Sequence, residues 1–65
     1  MKKVTFVRDK SQEMEYKLKS LTGLTSLHIG KTQRQLEVGD LCTLAELEDY
    51  RNHNQNRVTV VVQCQ

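Results

Sequence analysis

The sequence predicts an α+β fold of one small domain spanning residues 1–65. The predicted order is β-α-β-β-α-β, the ferredoxin-like or split βαβ arrangement, with two helices on one face of a four-stranded sheet. Three observations lead there. Two segments carry apolar stripes at helical spacing. Four others alternate apolar and polar residues, as half-buried strands do. A chain of 65 residues has room for one core and no more.

The first strand is "KKVTFVR", residues 2–8, with Val4 and Phe6 on one face and Thr5 and Val7 on the other. The first helix is read over "SQEMEYKLKSLTG", residues 11–23. Met14, Leu18 and Leu21 form a stripe, and Asp9 and Ser11 are good N-cap residues, Asp9 having capping-box spacing to Gln12. Glu13–Lys17 and Glu15–Lys19 are i,i+4 pairs in the favourable order, worth ~0.2–0.5 kcal/mol each. Gly23 stands where a left-handed C′ residue belongs. The same segment also alternates at Met14, Tyr16 and Leu18. Read as a strand, it would turn the chain into a mostly-β meander or small barrel with one short helix. "QLEVGDLCTL" supports this alternative, because it reads equally as two strands joined at Val38-Gly39-Asp40.

"LTSLHIG", 24–30, and "RQLEVGD", 34–40, read as the middle strands, with Leu27, Ile29, Leu36 and Val38 inward. "TLAELEDYRN", 43–52, opens on a Thr43-x-x-Glu46 capping box and carries Leu44, Leu47 and Tyr50 on a narrow stripe. "NHNQN", 52–56, reads as a polar loop. "RVTVVVQCQ", 57–65, reads as the last strand, with Val58, Val60, Val62 and Cys64 on one face and Thr59, Val61 and Gln63 on the other.

Composition narrows function. A domain this short buries only about 60% of its unfolded surface and gains from a partner. No apolar run approaches the ~20 residues of a membrane span. "MKKVTFVRDK" lacks the apolar stretch of a signal peptide, so the expected location is cytoplasmic. There Cys42 and Cys64 are expected as reduced thiols. No cofactor or metal is expected. The loop after the first strand has no Cys-x-x-Cys, and His28, His53, Cys42 and Cys64 lack the paired spacing of zinc ligands. His28 reads as a solvent-facing strand residue and His53 as a loop residue. Glu46, Glu48 and Asp49 read as a solvated acidic surface. With no phosphate-binding glycine loop and little room for a pocket, the chain reads as a non-enzyme without a small-molecule substrate.

Two binding readings remain. The favoured one is a small interaction module that regulates or inhibits a larger assembly by docking to a protein partner, self-association through the C-terminal strand being one form of it. "VTVVV" is apolar on both faces, and an exposed strand of that kind is a template for another chain. Its contact residues would be Thr59, Val61 and Gln63, with Tyr50 and Arg51 of the second helix as an additional surface. The alternative is a nucleic-acid-binding module. Residues 1–20 hold six basic and three acidic side chains, whereas 38–50 hold four acids and no Lys or Arg. Its contacts would be Lys2, Lys3, Arg8, Lys10, Lys17, Lys19, Lys31 and Arg34. Against it stand a net charge of only +2 and a shortage of exposed strand aromatics for base stacking, Phe6 being the only aromatic in a predicted strand and of more use to the core.

Overall fold

The computed structural model describes residues 1–8 and 15–64. Its elements are β1 (Lys3–Arg8), β2 (Glu15–Thr22), β3 (Leu27–Ile29), β4 (Arg34–Leu36), β5 (Leu41–Thr43), α1 (Leu44–Asn54) and β6 (Thr59–Cys64). Four strands form a mixed sheet in the order β5-β2-β1-β6, and β3 and β4 form a separate two-stranded hairpin. β1 runs antiparallel to β2 and parallel to β6. The expected pair of helices on one four-stranded sheet is therefore wrong. Among the described residues the protein is mostly β with a single short helix, the composition the alternative reading gave, but its main sheet is mixed and not a simple meander.

The correction falls on residues 15–22, which form β2 and not a helix. Its physical cause is a β-bulge. Thr5 pairs with Ser20 and Phe6 with Leu18, so Lys19 is an extra residue in β2. The bulge lets Leu18 and Leu21, three apart, both turn toward the core. That odd spacing is what suggested a helical stripe. The predicted capping residues Asp9, Ser11 and Gln12, and Glu13 of the first ion pair, lie outside the described residues.

β1, α1 and β6 stand where the sequence predicts them, whereas the middle strands shorten to β3 and β4 and form their own hairpin, and β5 is a strand that the two-helix reading did not contain. Val4 and Phe6 of β1 are fully buried on the inner face of the sheet. Against them pack Leu27 and Ile29 of β3, Leu36 of β4, and Leu47 and Tyr50 of α1. The helix starts on the expected capping box. Glu46 N–H donates to Thr43 Oγ1 at 3.2 Å, and Thr43 N–H donates to Glu46 Oε1 at 3.0 Å. α1 runs to Asn54, so His53 sits in its last turn and not in a loop. Val38, expected to point inward beside Leu36, lies in a turn and is 58% exposed. That turn closes through Asp40 N–H to Glu37 O and is anchored to β2 by Gly39 N–H to Leu18 O. Gly39 has φ +101°, a conformation that side-chain-bearing residues rarely adopt.

Cys42 is buried on β5, and Cys64 is exposed on β6. These strands are the two edges of the sheet, three interstrand spacings or about 14 Å apart. That separation exceeds the reach of a disulfide. Burial, reinforced by the Glu46 charge, pushes the Cys42 thiol up to about 11. No described helix is long and apolar enough to cross a membrane.

Candidate functional site

Two regions of the surface are candidates: the free edge of β6, and a polar cleft where the β3–β4 hairpin meets the end of α1.

The β6 edge is set by its bonding to β1. Thr59 N–H donates to Lys2 O at 2.9 Å. Backbone groups alternate in direction along a strand, so Thr59, Val61 and Gln63 face β1. Val60 and Val62 then present their N–H and C=O groups to the opposite side, where no described strand lies. The strand carries no charged residue and no proline. Val60 and Val61 are half-buried, and Val62 is 41% exposed. Beside the start of β6 a groove is lined by Arg51, Gln55, Val58, Thr59 and Val60.

The side chains of Thr59, Val61 and Gln63 share the outer face of the sheet with Thr5 and Val7. On that face Lys19 Nζ donates to Gln63 Oε1 at 3.3 Å, spanning β1. Thr5 and Val7 are buried on that face. Of the expected contact residues, Thr59 and Gln63 are exposed and Arg51 flanks the groove. Tyr50 is separate from them. It is buried in the core and forms a wall of the cleft, and its burial holds the phenol above its ordinary value.

The expected nucleic-acid contacts do not share one surface. Register places Lys3 and Lys17 on the outer face of the sheet, with Lys19 at the bulge. Parity places Arg8 on the opposite side of β1. Lys31 stands at the hairpin tip, beside Glu46 and Asp49. Lys10 lies outside the described residues. Arg34 is committed elsewhere, through a two-pronged pair with Glu46 (Nε to Oε2 3.1 Å, a terminal nitrogen to Oε1 3.0 Å) and a bond to Leu41 O at 3.0 Å. The pair raises the Arg34 pKa and lowers that of Glu46, in each case chiefly through the shared hydrogen bonds. Glu46 is thus a structural hub and not part of a solvated acidic surface.

The cleft was not legible as a site. It has two lobes, of about 300 and 310 Å³, which share His28, Gln33, Tyr50, Asn54 and Arg57. His28 is exposed on β3, as expected. Asn54 Nδ2 donates to Tyr50 O, which fixes the amide at the cleft wall. His53 Nδ1 lies 2.8 Å from Asp49 O and 3.4 Å from Asp49 Oδ1. Among the described residues no group of three or more His, Cys, Asp or Glu side chains is arranged to hold a metal ion. The sequence signals that bear on the cleft are His28 and the polar run "NHNQN" that contains His53, which stand far apart in the sequence. Comparison with known protein families, curated proteins and solved structures finds no match for the chain.

Proposed function

We propose that the protein is a small non-enzymatic interaction module that acts by docking to a protein partner through the free edge of β6, and that it regulates or inhibits a larger assembly in this way. The observation that carries the reading is a six-residue edge strand without charge, proline or bulge, one side of which has no described neighbour. Natural sheets commonly protect such an edge. An added strand gives affinity through main-chain hydrogen bonds, and alternate side chains give specificity.

The occupant this edge fits best is a second copy of the chain. Two neutral β6 strands meet without like-charge repulsion. Antiparallel pairing about Val62 obeys two-fold symmetry. It sets Val62 against Val62 of the other copy and Val60 against Cys64. All of these groups use the outward-facing backbone positions and point their side chains to the inner face. The exposed Val62 side chain would then be covered.

Sedimentation of the full chain from micromolar to millimolar concentration tests the reading. A dimer that is lost in Val62→Lys, with the monomer still folded, is the expected result. A monomer throughout the range overturns the second copy as partner. Retention on heparin or random DNA that falls steeply by about 200 mM salt would instead favour nucleic acid, read through Lys3, Lys17 and Lys19 on the outer face.

A further inference from the structure

We infer that the cleft between the β3–β4 hairpin and the C-terminal end of α1 binds a small organic phosphate, with the phosphate in the lobe lined by Lys2, His28 and Arg57. The inference is independent of the β6 reading.

Charge is the first argument. The 300 Å³ lobe is lined by Lys2, Arg57 and His28, by the donors Ser26, Gln33 and Asn54, and by no carboxylate. Among the described residues, neither Lys2 nor Arg57 enters an ion pair, whereas Arg34 is fully engaged by Glu46. A planar guanidinium beside neutral donors matches the oxygens of a phosphate. Leu24, Leu27 and Val58 complete the lining with apolar side chains.

Backbone conformation is the second argument. Gln33 has φ +53° and is the one non-glycine residue with positive φ among those described. Glycine or asparagine is the usual occupant of such a hairpin position. The Gln33 side chain lines both lobes, and its Nε2 donates to Gly30 O at 2.8 Å. A residue kept in an unfavourable conformation at a cleft wall points to use of its side chain.

The second lobe identifies the rest of the ligand. It adds Asp49 and His53 to the shared residues, an acceptor and an imidazole suited to hydroxyl groups. Its volume lies at the lower end of the ~300–1,000 Å³ range of small-molecule sites. A phosphate carrying a short polyol would occupy both lobes.

The test uses ribose 5-phosphate as the probe, titrated into the ¹⁵N-labelled full chain with ionic strength held constant by NaCl. Saturable shifts clustered at Ser26, His28, Gln33, Asn54 and Arg57 are expected. Arg57→Gln should weaken binding by about fivefold or more, the scale of one lost charge-assisted contact. Gln33→Gly should weaken binding while raising the melting temperature, a combination that a purely structural role for Gln33 would not give. Shifts that do not saturate, or that extend equally to Lys17 and Lys19, would overturn the inference. So would equal binding of unphosphorylated ribose, or unchanged affinity in a folded Arg57→Gln. Inorganic phosphate binding as tightly as the ester would remove the second lobe from the site.

Discussion

The two edges of the four-stranded sheet are built in opposite ways. β5 is three residues long and its outward groups are occupied by side chains. Leu41 O accepts from Arg34, and Thr43 N–H donates to Glu46. The same Glu46 completes the cap of α1, so one carboxylate joins the edge strand, the hairpin and the helix. β6 is twice as long, carries no charged side chain, and leaves Val60 and Val62 facing outward with no described strand beside them. Side-chain guards make β5 a terminus of the sheet. Their absence makes β6 a place where the sheet can continue.

The sharpest way to break this comparison is proline at adjacent positions of β6. Val61→Pro removes an N–H that faces β1 and should destabilise the fold by about 3 kcal/mol or more. A small domain then has little margin left, so urea denaturation should show a chain mostly unfolded at 25 °C. Val62→Pro removes an outward N–H, a position where edge strands tolerate proline. It should leave the monomer folded and abolish the dimer.

At the other edge, Glu46→Ala removes the carboxylate that accepts from Thr43 N–H and pairs with Arg34, while the backbone N–H at position 46 keeps its bond to Thr43 Oγ1. The expected loss is about 1–2 kcal/mol, most of it from the lost charge-assisted hydrogen bonds. Amide exchange at Thr43 should accelerate with it. Stability should also show an acid limb of definite sign. The folded-state pKa of Glu46 is depressed below 4.5 by its hydrogen bonds to Arg34, so its contribution is present above about pH 4.5 and lost as pH falls through the lower folded value. Denaturation curves of Glu46→Gln should converge on the parent below that pH. The smallest effect concerns the thiols. Cys64 on the open edge should react with a disulfide reagent at once, while the buried Cys42 reacts only on unfolding.

Much of the fold was legible locally. The alternation in β1 and β6 and the Thr43–Glu46 box named those elements correctly, because each is specified by neighbours in sequence. Residues 15–22 were not legible, since a bulge at Lys19 gives the inward residues Leu18 and Leu21 a helix-like spacing. The Glu15–Lys19 pair, read as helical support, belongs to a strand, where residues four apart do not meet. Sheet order was equally hidden. Nothing local reveals that β6 pairs with β1 in parallel and becomes an edge. The cleft depended on long-range assembly too, since it unites Lys2, β3, the hairpin turn and the end of α1.

Hydrogen exchange of single amides as a function of protein concentration tests the central claim about β6 most directly. The open-edge account predicts that protection at Val60 and Val62 rises from near zero in dilute solution to strong at millimolar concentration, while Val61, bonded to β1, is protected throughout. Fast exchange at Val60 and Val62 at every concentration, with Val61 protected, would contradict it.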